Sequence, residues 1–390
     1  MIDELALAFR ASATQIGMLS ASLYFVYTPM QLVVGILLDY FGARKLLILA
    51  IISCVIGNVC FTNADNLAMV YLGRGLIGFG SAFAFVGAVK LANAWLPKKY
   101  VHFFIGLATA LGMLGALLQT NIIPRILHLI GWQGALRAGT IAGLVLLPIS
   151  YFLLHDSPQQ LQEDATQQSH NMDLTLHTAW RNLVQVAVNK RIWLSGIIAS
   201  VLYLSLSMVA ELWGIPALME IYHINQIDAA SCCSMIYLGW LIGGPVAGLL
   251  GTKVSIMRLL TIGLAGSAMI FTLLIYGAPF IGLFFCQVGM LLFGLLSSVQ
   301  VLCFGLSNEN APTEAVATST AFTNCIIMLG GFIAQPLIGA CLDLYTRYFE
   351  PTRIATNYSA NGYYWTFLLL PLSLLVGLVL TRFYDKAETV

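Results

Sequence analysis

The chain has 390 residues, of which 59% are hydrophobic and only 9% charged, with a formal net charge of +1. A soluble domain carries about 25% charged residues, so this surface is too apolar for water, and the near-neutral balance implies no bulk attraction to nucleic acid. Long apolar stretches recur, and each is close to the roughly 20 residues that a helix needs to cross a bilayer core. The sequence therefore reads as an all-α integral membrane protein whose first partner is the lipid bilayer. A β-barrel would alternate polar and apolar residues over short segments, which continuous runs exclude.

Taken in order, the apolar runs lie at about 16–38, 46–62, 67–96, 101–123, 133–154, 192–219, 229–251, 257–277, 279–306, 315–342 and 362–381, with ends soft by ~2–4 residues. The eight cysteines all fall within apolar stretches, without metal-ligand spacing, and read as small packing residues. Basic residues cluster in alternate connections, at Arg44 and Lys45, Lys98 and Lys99, Arg181 to Arg191, Lys253 and Arg258, and Arg382 and Lys386. Cytoplasmic loops carry this excess, so the C-terminus is expected to be cytoplasmic and Met1 external. Arg125, Arg347 and Arg353 weaken the pattern slightly.

Residues 155–190 form the longest gap between apolar runs, polar and rich in Gln, and read as a cytoplasmic linker between halves at 1–154 and 191–390. Five runs precede it and six follow. Gly35-Ile36-Leu37-Leu38-Asp39-Tyr40, closing the first run, parallels Gly248-Leu249-Leu250-Gly251-Thr252-Lys253, closing the seventh. Parallel repeats of this kind are common in transporters. The first run then corresponds to the second helix of the later half, and the chain is expected to begin one helix late.

Gly35, Asp39, Gly42, Arg44 and Lys45 reproduce the loop motif Gly-x3-Asp-(Arg/Lys)-x-Gly-x-(Arg/Lys)-(Arg/Lys), with Tyr40 departing at one basic position. On these residues the chain resembles the major facilitator superfamily over essentially its whole length. The resemblance implies two six-helix pseudo-repeats, here with eleven of twelve helices, and a gating or conformational role for the loop. Gly35 permits close helix approach and Gly42 a tight turn, while Asp39 can pair with a cation at the helix ends. An incidental carboxylate in a positive-inside anchor is the plainer alternative. Thr252 stands where the second half would carry the Asp.

Arg74-x3-Gly78-x-Gly80 resembles the family's fourth-helix motif, whose Arg is associated with proton coupling; snorkelling to the interface is the alternative. A Gly-Pro pair of drug antiporters is absent from the fourth run, which offers Gly112 and Gly115. Ala210 to Pro216, Gly239 to Pro245 and Gln335 to Gly339 resemble a bacterial nutrient-uptake branch that includes phagosomal transporters and is similar to lysosomal dipeptide carriers. In those relatives a helix precedes the segment resembling Ile2 to Phe9.

Glu211, with Tyr203 and Ser207 on one stripe of an apolar helix, is a candidate proton carrier, or else a helix-end carboxylate reaching the external interface. Lys90 lies about 160° round an ideal helix from Arg74, so both cannot face one cavity without a bend. It is read as a candidate for an anionic substrate group or as an anchor beside Trp95. Tyr24, Thr28 and Gln31 make a polar face, as do Thr320, Asn324 and Gln335, and Ser297 and Gln300. Such residues line a pathway or bond helix to helix, and the second role is the commoner one.

These features predict a secondary transporter importing a small polar metabolite, such as an amino acid, small peptide, nucleoside or organic anion. It would act as a monomer by alternating access, without cofactor or metal, on the energy of a proton gradient. A facilitative uniporter, and a sensor or scaffold that does not transport, are the alternatives. The six histidines lie at run ends or in loops, which argues against an intramembrane enzyme.

Overall fold

The computed structural model describes residues 13–121, 123–156, 176–277, 282–351 and 358–386, with side chains at 13–24, 28, 119–121, 123–128, 176–179 and 385–386 outside the description. The segment resembling Ile2 to Phe9 lies outside the described residues, as do the side chains of Tyr24 and Thr28.

The helices are α1 (Ala13–Phe41), α2 (Ala43–Thr62), α3 (Leu67–Trp95), α4 (Lys98–Asn121), α5 (Ile123–Leu153), α6 (Leu176–Val188), α7 (Lys190–Leu204), α8 (Gly214–Tyr222), α9 (Gln226–Leu250), α10 (Ile256–Tyr276), α11 (Leu283–Ser297), α12 (Leu302–Glu309), α13 (Val316–Phe349), α14 (Ala360–Phe367) and α15 (Leu369–Lys386). A π-helical stretch, Ser205–Trp213, joins α7 to α8, and 3-10 turns lie at Ser298–Val301 and Thr313–Ala315. Where the structure describes them, the apolar runs are almost wholly helical, and the described residues hold no strand. Ten segments among the described residues are long and apolar enough to cross a membrane. In α1, only Pro29–Phe41 adds a shorter apolar stretch to these.

Side-chain caps set several helix starts. Asn66 accepts from the Met69 amide, Asn189 from that of Arg191, Asn225 from that of Asp228 and Ser359 from that of Gly362. Each satisfies one of the amides that an N-terminal turn leaves without a partner. Pro29, Pro148, Pro245 and Pro336 lie inside helices. In a membrane, neighbouring groups re-satisfy the backbone that proline frees.

The chain forms two compact units. One comprises Met1–Pro97, Leu118–Val188 and Ala311–Cys325; the other comprises Lys98–Leu117, Asn189–Asn310 and Ile326–Val390. This partition differs from the sequence halves at 1–154 and 191–390, because most of α4 groups with the later helices and the start of α13 with the earlier ones. Close packing explains both exchanges. A Cβ on Gly35 would stand 2.7 Å from Ala321 Cβ and 2.8 Å from Thr318 Cα, within the first unit. In the second unit, Gly106 lies against the Gly244 carbonyl, and a Cβ on Gly248 would stand 2.5 Å from the His102 carbonyl oxygen. The expected linker 155–190 also holds more structure than a tether, since α6 lies within it. Its helical pattern was not read from the sequence.

Helices α2 and α3 meet through another glycine pair, where a Cβ on either Gly57 or Gly73 would stand 2.6 Å from the other's carbonyl oxygen. Gly73→Val should therefore part the two helices and cost about 1–3 kcal/mol, the range for overpacking a tight contact. Thermal unfolding in detergent checks this, and an unchanged midpoint would contradict the packing described.

Candidate functional site

The first unit is organised around Asp39, which is buried near the end of α1. Its Oδ1 accepts from Lys90 Nζ at 3.0 Å and from the Ala317 amide at 3.2 Å, and its Oδ2 accepts from the Thr318 amide at 2.8 Å and Thr318 Oγ1 at 2.7 Å. Ala317 and Thr318 are the second and third residues of α13, so the carboxylate caps that helix from outside. A helix N-terminus carries unsatisfied amides and a positive partial charge, and an anion there meets both. Lys90 also donates to the Leu38 carbonyl at 2.6 Å. The spacing of Gly35 from Asp39 sets one helical turn between close approach and charge, so the glycine admits α13 to the carboxylate.

Lys90 is accordingly committed to Asp39 in this structure, rather than free for a substrate anion or standing as an anchor beside Trp95. Two turns along α1, buried Gln31 accepts from Asn324 Nδ2 at 2.8 Å. These two cavity candidates therefore bond α1 to α13 directly. Arg74 lies half-buried on α3, and Gly73 and Gly80 beside it form the seam with α2.

Gly42 has φ +82°, the left-handed region that suits glycine, and any Cβ would collide with the Asp156 carboxylate. Asp156 Oδ1 accepts from the Ala43 amide and, at 2.8 Å, from the Arg44 amide. The N-terminus of α2 thus has its own acidic cap. Arg44 donates to the Tyr151 carbonyl at 3.1 Å and lies 5.5 Å from that ring's centre, while Lys45 is exposed. The sequence reading missed Asp156. Its one signal is an acidic residue just past an apolar run, which many loops share.

In the second unit Glu211 sits on the π-helical stretch. Its Oε1 accepts from Tyr203 Oη at 3.1 Å and its Oε2 from Gln335 Nε2 at 3.3 Å, and Gln335 also donates to the Ser207 carbonyl at 3.0 Å. The stretch closes where the Gly214 amide bonds to the Val209 carbonyl, five residues back. A Cβ on Gly214 would collide with that same carbonyl, so glycine permits the closure. Wider turns of this type recur at functional sites. The expected stripe of Tyr203, Ser207 and Glu211 thus gathers around Gln335, although Ser207 Oγ is buried and makes no hydrogen bond itself.

Beside this cluster Trp213 Nε1 donates to the Gln335 carbonyl at 3.0 Å and its ring meets that of Tyr358 at 6.3 Å. Tyr358 lies outside the spans, and its hydrogen bond to Asp343 pushes its phenol up to about 12. Gln300 is buried in its 3-10 turn. Ser297 serves packing: its hydroxyl bonds Ser205 Oγ at 2.9 Å and accepts from Trp240 Nε1 at 2.8 Å. His102, read only as a run-end residue, is buried with Nε2 3.5 Å from Glu309 Oε1, over Gly305, where no Cβ fits. No group of three or more His, Cys, Asp and Glu among the described residues is placed to hold a metal ion.

A bundle with ten helices long and apolar enough to cross a membrane, among the described residues, has the architecture of a multi-pass membrane protein. The Major Facilitator Superfamily profile matches residues 1–335, and the chain belongs to that family; it is a member of a transporter family, not an enzyme. It is 26% identical to the membrane sensor protein UhpC of Escherichia coli over 386 residues, 92% of this chain and 84% of that protein. It is 22% identical to a probable hexose phosphate transport protein of Chlamydia pneumoniae over 262 residues, 62% of this chain and 57% of that protein. That match spans little more than half of the relative's length. The fold is similar to that of the E. coli fucose:proton symporter FucP, with a TM-score of 0.66 at 17% identity, over 98% of this chain and 94% of that one. The profile describes the superfamily as a whole and does not reach the nutrient-uptake branch.

Leaving buried charge without its partner costs about 3–5 kcal/mol, so Asp39→Ala should free the start of α13. A cysteine at Ala315→Cys, buried in the adjoining turn, should react with a water-soluble maleimide about tenfold or more faster in the Asp39→Ala background, ten being the factor for 1.4 kcal/mol. Equal rates would mean that the carboxylate does not hold the helix.

Proposed function

We propose that this protein is a secondary active transporter that imports a small polar metabolite across a bacterial cytoplasmic membrane, coupled to protons, by alternating access. The observation that carries the reading is the capping of α13 by Asp39. The contact joins a helix of the first sequence half to one of the second, through hydrogen bonds that water can replace. A breakable, fully satisfied contact is the element that a two-state gate needs. The basic loops place this gate on the cytoplasmic side, with the C-terminus there too, so the arrangement corresponds to a state closed toward the cytoplasm.

Glu211 is the proposed proton carrier. It lies inside an apolar span and accepts from two neutral groups, of which the Tyr203 hydroxyl can turn to accept in its place when a proton arrives. Arg74 is the second coupling candidate, and Tyr203, Ser207 and Gln300 are candidates for the substrate path. Gln31 and Asn324 would open to the path when α13 leaves α1, and Lys90 would become available at the same moment. No cofactor takes part; the proton gradient supplies the energy. Among the substrates, an organic phosphate anion stands first for testing because a Chlamydia relative carries that description.

The likeness to a membrane sensor over nearly the whole chain favours one other reading, a receptor that binds its ligand without moving it. Reconstitution into vesicles separates the two. A transporter accumulates one labelled compound from a panel of hexose phosphates, amino acids, dipeptides and nucleosides when an inward proton gradient is imposed. A sensor binds a compound and shows no flux.

With the substrate in hand, Glu211→Gln should abolish uptake driven by the pH gradient while preserving substrate exchange at equal pH. Unchanged concentrative uptake in that variant would remove Glu211 from the coupling mechanism.

A further inference from the structure

The short helix α6 has two unlike sides. Asn182 and Val186 are buried, and the helix packs against α1 and against the 3-10 turn Thr313–Ala315. Trp180, Val184 and Val188 are 64%, 43% and 71% exposed. At 100° per residue, these three span an arc of about 80°, and Asn182 and Val186 fall on the opposite side. Arg181 is exposed at the edge of the apolar stripe. A soluble domain would have little reason to offer a tryptophan and two valines in line to water.

The chain fixes how far this stripe can lie from the membrane. One residue after Val188 intervenes before the membrane span Lys190–Tyr222, and that span opens with Lys190 and Arg191. The end of α6 is therefore within a few ångströms of the depth at which a membrane helix begins. A helix there with an apolar stripe, a tryptophan and flanking cations has the composition of one lying in the plane of the interface. Arg181 and Lys190 favour headgroups of negative charge, each basic group near such a surface contributing about 1 kcal/mol.

We propose that α6 is a strap docked on the surface of an anionic phospholipid bilayer. Trp180, Val184 and Val188 enter the headgroup boundary, and Arg181 pairs with lipid phosphate. Its buried side touches both partners of the Asp39 contact: α1, which carries the carboxylate, and the turn that leads into Ala317 and Thr318. Lipid binding on one side of the strap thereby holds the two together on the other. Anionic lipid is expected to favour the capped state of α13, an effect that does not depend on which substrate is carried or on whether any is.

The test uses the full chain in vesicles of phosphatidylcholine alone or with phosphatidylglycerol. The fluorescence lost on Trp180→Phe isolates one tryptophan. In anionic vesicles that component should be quenched by lipids brominated near the headgroup more than by lipids brominated deep in the chains. Maleimide labelling at Ala315→Cys should slow about fivefold when phosphatidylglycerol is included, the factor for one basic side chain near the surface. Arg181→Gln, which leaves the packed side of the helix untouched, should remove most of that difference. Absence of quenching would overturn the membrane seat and leave the face to a protein partner or a second copy. Quenching and labelling that ignore lipid charge would overturn the anionic preference and the coupling to α13.

Discussion

The carboxylate of Asp39 is the constraint on which the first unit depends. A charge so little exposed to water is tolerable only where every lone pair has a donor, and here an ammonium, two helix amides and a hydroxyl supply them. Other features follow from that requirement. Gly35 has to lack a side chain for α13 to come close enough. Lys90 has to turn toward α1 instead of toward a substrate. Gln31 and Asn324 then meet because α1 and α13, once joined at one end, run together for two further turns. In the second unit Thr252 stands at the corresponding position, which therefore carries no carboxylate. That unit's close contacts rest on glycines instead, at Gly106, Gly244 and Gly248, with His102 beside Glu309.

The two acidic clusters of interest differ in their partners, and that difference separates their proposed roles. Asp39 is met by a cation and by the amides and hydroxyl at a helix N-terminus, a set of partners suited to a fixed structural contact. Glu211 is met by a phenol and an amide, which are neutral and can rearrange when a proton arrives. The π-helical stretch belongs to the same design. Its closing bond at Gly214 alters the helix locally while the Gln335 amide bridges both the carboxylate and the Ser207 carbonyl. Packing residues such as Ser297 and Trp240 nearby are engaged with one another.

Much of the fold was legible because a spanning helix must be apolar along its whole length, and the apolar runs are almost wholly helical where the structure describes them. The loop motif was legible for a related reason: Gly35, Asp39 and Gly42 each answer a local demand of approach, charge or turn. What stayed hidden is long-range register. Nothing near Lys90 in the sequence states that it faces Asp39, fifty-one positions away, and the cap of α2 by Asp156 is separated by more than a hundred. The polar stripe of Tyr203, Ser207 and Glu211 was visible, but its fourth member, Gln335, comes from another helix. The amphipathic α6 was overlooked because its 13 residues close a segment whose earlier part is polar and rich in Gln.

The physics of the α13 cap also decides what an open state must contain. When α13 leaves Asp39, the amides of Ala317 and Thr318 lose their acceptors, the carboxylate loses three of its four donors, and Gln31 and Asn324 lose each other. In a lipid environment each unmet polar group costs several kcal/mol, so the separated surfaces are stable only if water reaches them. Were α13 to leave α1 as proposed, the separation would have to be hydrated and not a dry parting of helices. A lone Lys90 beside Asp39 would then remain there as a solvated ion pair. On the proposed reading of alternating access, the groups that hold this end closed would be the same ones that line the hydrated path once it opens.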